Sequence, residues 1–136
     1  MVRSIHHINF IVRDLEEAVA RYERILDRAV DRRDVLEERG VVTARFAIGG
    51  TWLVLVQPTR SGTVPARHLA EHGEGFFLMS LEVDSLDTEA VRLGDDMFST
   101  PARDGADGWR IRDLDTQQTF DAQLQLVVTN PQKPGE

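Results

Sequence analysis

Two hydrophobic periods alternate along the chain. Over 5–12, Ile8, Phe10 and Val12 fall on one side and His7, Asn9 and Ile11 on the other, the period-two pattern of a strand. Asp14 follows as a helix N-cap, with Glu16 and Glu17 in the first turn, where the helix dipole favours acids. Leu15, Ala18, Val19, Tyr22, Ile25 and Leu26 recur at helical spacing and predict one apolar face on a helix ending near Leu26 or Asp27. Three strands are predicted next. The first, over 30–36, is heavily charged; the second, over 41–48, ends at Gly49-Gly50. The third, over 51–57, sets Trp52, Val54 and Val56 opposite Leu53 and Leu55 and is stopped by Pro58.

A connection over 59–75 carries a short predicted helix, 66–71, opened by Pro65 and ended before Gly73. A clear strand follows over 76–83, then a helix capped by Asp84 or Ser85 with Leu86, Ala90 and Leu93 on its buried side. Strands are expected over 97–100, 109–114 and 119–128, with Asp104-Gly105 and Asp107-Gly108 supplying turn chemistry between the first two. The polar, proline-bearing tail over 129–136 is expected to fray. The order of elements therefore repeats. A shift of roughly seventy residues lays Val12 on Val83, Leu15 on Leu86, Val19 on Ala90 and Tyr22 on Leu93. The fold class implied is α+β, with two βαβββ modules (about 3–58 and 76–128) in one domain, 1–136, forming a cupped, barrel-like mixed sheet with helices outside. One half leaves a curved sheet with an open apolar edge, and the second closes it.

Composition changes little in this picture. A length of 136 residues with 41% hydrophobic and 29% charged residues suits one globular domain with its own core. The absence of cysteine excludes a disulfide framework, a thiolate metal site and a cysteine nucleophile. A net charge of -7, with Arg28, Arg32 and Arg33 interrupted by Asp27, Asp31 and Asp34, argues against a nucleic-acid surface. No apolar run approaches the roughly 20 residues of a membrane span, and Arg13, Asp14 and Glu16 interrupt any signal-like stretch, so a cytoplasmic location is expected.

The run from His7 to Ala18 (His-Ile-Asn-Phe-Ile-Val-Arg-Asp-Leu-Glu-Glu-Ala) resembles the first strand and helix of the vicinal-oxygen-chelate (glyoxalase/bleomycin resistance/dioxygenase) superfamily. His68-Leu69-Ala70-Glu71-His72-Gly73-Glu74-Gly75, followed by Leu81-Glu82-Val83-Asp84, resembles the junction and fifth strand of its methylmalonyl-CoA epimerase branch, as Glu38-Arg39-Gly40-Val41 resembles that branch's turn between strands two and three. The resemblance implies a small-molecule carbonyl or acyl-thioester substrate, a homodimer, and a divalent metal acting as Lewis acid. Its ligand positions fall on His7, Val54, Leu78 and Gln123, or Gln125 if the register slips by two. Val54 and Leu78 cannot ligate, which leaves the metal site incomplete and at most a weak divalent ion at His7.

Glu38 is the candidate general base that the epimerase resemblance implies, provided an apolar pocket raises its pKa; otherwise it is a solvated acid beside Glu37 and Arg39. Glu82 points into the cup if its strand alternates regularly, and is the second candidate acid or base, or else a strand-end acid at the rim. Trp52, Val54, Phe76 and Leu78 are expected to wall the cup, with His7, Asn9, Ser80, Gln123 and Gln125 as the polar groups that contact a substrate. His68 and His72 share a helix face without a carboxylate in register, and His6 is expected to be ordinary. Three functions compete: an isomerase or lyase working by proton transfer, a drug-sequestering binding protein of the same fold, and a conventional metal enzyme whose ligands lie in a shifted register.

Overall fold

The computed structural model describes residues 1–130. The first half follows the predicted order: β1 (Val2–Ile11), α1 (Leu15–Leu26), β2 (Arg32–Leu36), β3 (Val41–Ile48) and β4 (Thr51–Pro58). Helix α2 (Val64–His72) connects to β5 (Gly75–Val83), α3 (Leu86–Leu93), β6 (Arg103–Asp104), β7 (Arg110–Asp113) and β8 (Leu124–Val128). This is an α+β fold of two βαβββ modules. Two compact units result: His7–Phe77, and Met1–His6 together with the chain from Leu78 onward.

In the first unit the strands run β2-β3-β4-β1, with β1 parallel to β4 and the other neighbours antiparallel. Asp14 caps α1 by accepting the Glu17 amide at 3.1 Å, and Asp27 ends the helix in the left-handed region at φ 52°. The helix lays Leu15 and Val19 on Ala44, Phe46 and Leu55, with Phe10, Val42 and Leu53 around them. Phe46 and Leu55 are fully buried, each worth roughly 1.5–3 kcal/mol of apolar burial. Strand alternation then fixes the opposite, helix-free face: His7, Asn9, Trp52, Val54, Thr43 and Arg45.

The second unit repeats the pattern with β6-β7-β8-β5 and β5 parallel to β8. Ser85, not Asp84, caps α3, accepting from the Thr88 amide at 3.1 Å. Leu86, Ala90 and Leu93 pack on Val83, Phe98, Leu114, Leu126 and Val128, as their spacing predicts. One residue of this helix escaped the pattern. Glu89 is 1% exposed, and its carboxylate accepts from the Met1 amino group and from Arg92, each at 2.6 Å.

Several predicted boundaries need correction. The strand expected over 97–100 is a 3₁₀ turn, Asp95–Met97, followed by a single bridge between Phe98 and Leu114. The strand expected over 119–128 begins only at Leu124. Turns take up 115–121, with Phe120 and Asp121 in the left-handed region at φ 56° and 67°. β4 stops at Pro58 as expected, with the proline itself as its last residue, opposite Val41, where a missing N–H costs little. Frayed behaviour was expected from 129, yet the Thr129 hydroxyl donates to Glu82 at 2.8 Å; the remainder of that expectation, 131–136, lies outside the described residues. Among the described residues, no helix is long and apolar enough to cross a membrane.

The hydrogen bonds from the amino terminus and Arg92 hold the Glu89 carboxyl below its ordinary value of 4.5. A depressed folded-state pKa contributes stability above the unfolded value and loses it as pH falls through the folded one. Glu89→Gln is therefore expected to lower unfolding free energy at pH 7 by about 1–2 kcal/mol, because it replaces charge-assisted bonds from two largely exposed donors with weaker neutral ones. Urea melts should show that difference shrinking below about pH 4.5.

Candidate functional site

The helix-free face of the first unit carries most of the predicted chemistry. Register pairs His7 with Trp52 and Asn9 with Val54 across the parallel β1–β4 ladder, and Val54 with Arg45 across β4–β3. His7 is 6% exposed and Arg45 5%, while Val54 is also buried. The Asn9 side-chain oxygen is buried without a hydrogen-bond partner. A buried acceptor left unpaired costs roughly 1–3 kcal/mol, and such atoms in a native fold call for an explanation, a bound ligand among them.

Arg45 was not predicted. Its guanidinium lies over the Trp52 ring, 4.5 Å from the centroid, in cation–π geometry. The signal was present as a lone arginine in the otherwise apolar strand 41–48, in phase with Thr43 rather than with Ala44 and Phe46.

The helix-free face of the second unit has the same construction. Ser80 is opposite Gln125 and Glu82 opposite Val127, and Gln125 is opposite Asp113. Ser80 is fully buried with its hydroxyl unpaired. The Gln125 amide donates to Asp113 at 3.1 Å, and Arg103 grips the same carboxylate with two bonds of 2.8 and 3.2 Å. Because a carboxylate only accepts, the Gln125 NH₂ must face Asp113, which turns its oxygen the other way. Asp113 and Arg103 were also missed: Arg-Ile-Arg-Asp reads as an ordinary polar strand. Gln123 stands just before β8, its carbonyl accepting from the Met79 amide at 3.0 Å. A shift of 71, the difference between His7 and Leu78, also carries Asn9 to Ser80 and Val54 to Gln125, so register symmetry selects Gln125 over Gln123 as the counterpart of Val54.

Other predicted residues are placed differently. Glu38 is exposed on a 3₁₀ turn, Glu37–Arg39, whose carbonyls Arg60 holds, the one of Glu38 at 2.9 Å. That matches the solvated acid beside Glu37 and Arg39 rather than an acid in an apolar pocket. Glu82 is half-buried, and both its oxygens are engaged, by the Ser4 hydroxyl at 3.1 Å and the Thr129 hydroxyl at 2.8 Å. Phe76, expected in the cup, is 47% exposed and meets the edge of Phe10, a helix-side residue. Gln57, in phase with the helix-side residues of β4, accepts from the Leu15 amide at 2.8 Å. His68 and His72 sit with ring centroids 4.7 Å apart on α2; burial, then the neighbouring His72, lowers the His68 pKa. His6 meets Trp109 edge-on at 4.6 Å. A groove of about 270 Å³ between the start of α1 and β2–β4 is lined by Leu15, Glu16, Arg33, Val42 and Gln57 among others, none of them a predicted site residue.

The residues present do not fit a firmly held divalent ion. Of the implied ligand positions, Val54 and Leu78 offer no donor atom, and Gln125 is tied to Asp113. The neighbour of Val54 on β3 is a cation. Among the described residues, no group of three or more His, Asp or Glu is arranged to hold a metal.

Two βαβββ modules with polar groups on the helix-free sheet faces define a vicinal-oxygen-chelate protein. Residues 6–112 match the model of the Glyoxalase/Bleomycin resistance protein/Dioxygenase superfamily, and the chain belongs to that superfamily. Among solved structures it is similar to a methylmalonyl-CoA epimerase in complex with methylmalonyl-CoA and NH4+, at 27% identity and TM-score 0.85, covering 95% of this chain and 96% of that one. It is similar to a variant of the Streptomyces coelicolor methylmalonyl-CoA epimerase in complex with 2-nitronate-propionyl-CoA, at 26% identity and TM-score 0.85, covering 96% and 100%. It is also 24% identical over 128 residues to the uncharacterized protein YqjC of Bacillus subtilis (strain 168), covering 92% of this chain and 91% of that one. The superfamily and the epimerase branch are those the sequence resembled.

Removing the unpaired Ser80 hydroxyl removes a desolvation cost. Ser80→Ala is expected to raise unfolding free energy by about 1 kcal/mol, read as a higher midpoint in denaturant at unchanged m-value. A loss of stability of the same size would mean that the hydroxyl is satisfied in the native protein.

Proposed function

We propose that the protein is an epimerase-like isomerase that moves a proton at the carbon next to the carbonyl of an acyl-CoA thioester. One observation carries this reading most directly. The helix-free face of the first unit brings His7, Asn9 and Arg45 together beside the apolar Trp52 and Val54, with a buried acceptor left unpaired. The similarity to epimerases solved with acyl-CoA compounds supports the substrate class.

The chemistry needs two things. A base must take the α-proton, and a donor must hold the oxygen that becomes an enolate when it leaves. Glu38 is the candidate for the first role: both oxygens of Glu82 already accept hydroxyl bonds, and the exposed Glu38 carboxylate gains apolar surroundings only when a bound thioester covers it. The Glu38 turn is held by Arg60 at its backbone, so the carboxylate side chain is not itself spent on structure there. Reprotonation of the enolate on its other side, by solvent or a second acid, completes the inversion with no net change in protons. His7 serves the second role through a ring N–H. No step of this reading runs through a metal.

Incorporation of solvent deuterium into methylmalonyl-CoA or propionyl-CoA, followed by mass spectrometry, tests the proposal. The wild-type chain is expected to catalyse exchange in the presence of a chelator, and Glu38→Gln to slow it by about 10²–10⁴. Tight binding of either thioester without exchange would instead identify a sequestering protein. Exchange unaffected by Glu38→Gln would remove Glu38 from the mechanism.

A further inference from the structure

Four residues, one from each strand of the first unit, form a single lane across its helix-free face. Arg32 on β2 is opposite Arg45 on β3, Arg45 is opposite Val54 on β4, and Val54 is opposite Asn9 on β1. Two arginines directly across a ladder repel, and sheets ordinarily avoid the arrangement. Here the outer arginine is half-exposed and pairs with Asp34 at 3.1 Å. The inner one is almost fully buried, on the side away from α1. The Arg45 guanidinium lies over the Trp52 ring, 4.5 Å from its centroid. Trp52 is in turn the cross-strand partner of His7, so the cation, the indole and the imidazole follow one another on one face. The second unit offers an internal control. Its counterpart of Arg45, opposite Gln125 as Arg45 is opposite Val54, is Asp113, a carboxylate held in the two-bond grip of Arg103.

We infer that Arg45 is the anion-recognition residue of this face: its guanidinium donates to an oxygen that carries negative charge on the acyl portion of the ligand. The inference rests on the acyl-CoA reading above and sharpens it. The preferred ligand is an acyl thioester whose acyl group is anionic, either permanently or as an enolate, and the selecting charge is a fixed guanidinium rather than a bound cation. A planar fork of N–H groups suits the two oxygens of a carboxylate or nitronate, which a lysine ammonium would meet only as a point charge.

Calorimetric titration of the full chain with two probes tests this. Propionyl-CoA has a neutral acyl group; 2-nitronate-propionyl-CoA carries its charge on two oxygens in the plane of the reacting carbon. With a chelator present, the wild-type protein is expected to bind the nitronate at least tenfold more tightly. Arg45→Met should abolish that preference while changing propionyl-CoA affinity less than about threefold, and Arg45→Lys should retain part of it. Circular dichroism checks that each variant is folded. Should Arg45→Met not fold, Arg45→Gln and the wild-type chelator arm carry the test. A preference that survives in Arg45→Met or Arg45→Gln would overturn the inference. So would a wild-type preference that appears only when a divalent metal is added. Propionyl-CoA bound without any preference for the nitronate would sink this inference alone, whereas failure of both thioesters to bind would sink the acyl-CoA reading and this inference with it.

Discussion

Each module depends on the parallel pairing of its first strand with its fourth. β1 lies along β4 and β5 along β8, and each fourth strand is held from its other side by an antiparallel neighbour. A parallel pair cannot be closed by a tight hairpin, so the intervening helix and two strands serve as the crossover connection. Once it forms, strand periodicity leaves no freedom. Everything in phase with Phe46 and Leu55 goes under α1, and everything in phase with Asn9 and Val54 goes to the other face. A slip of one residue would bury Arg45 beneath the helix and expose Phe46, which neither side chain tolerates.

That constraint explains why polar groups cluster where they do. The helix-covered face of the first unit is closed by apolar contacts, with Gln57 spent on the backbone of α1. The other face holds His7, Thr43 and Arg45, all buried, and Asn9 with an unpaired oxygen. Buried polar groups are costly unless partnered, and on this face the Asn9 oxygen is buried without a partner. The second unit spends its polar groups more conservatively. Asp113, Gln125 and Arg103 satisfy one another, Glu82 ties Ser4 to Thr129, and Ser80 is the exception. Buried Glu89 belongs to a different category: it fastens α3 to the start of β1 and faces no ligand surface.

The superfamily resemblance and the geometry bear on different questions. Membership follows from the match over 6–112 and from the order of elements. Membership does not carry a metal with it, because fold does not fix chemistry and each ligand must be found in its own place. Val54 and Leu78 occupy two of the positions where the resemblance implies donors, and a cation adjoins the first of them. An imidazole, amides and a guanidinium can hold an oxyanion by hydrogen bonds alone, provided water is kept away.

Local pattern was enough to specify α1 with its Asp14 cap, strands β3 and β4, the fifth strand and the repeated order of elements, because periodicity and capping act over a few residues. The same pattern put His7, Asn9, Trp52 and Val54 on one face and Ser80 with Gln125 on another, since alternation survives folding wherever a ladder is unbroken. Where the strand pattern was weak, as over 97–100 and 115–123, turns closed by short-range hydrogen bonds prevailed. Only tertiary structure could decide that Arg45 is buried on Trp52, that Asp113 fixes the Gln125 amide, that Glu89 receives the chain's own amino group, and that Glu38 stands in solvent. Those outcomes rest on strand register and on partners that lie outside the local pattern, as far as 88 residues away for Glu89 and the amino terminus, and a charged letter in a sequence does not reveal which neighbour will neutralise it.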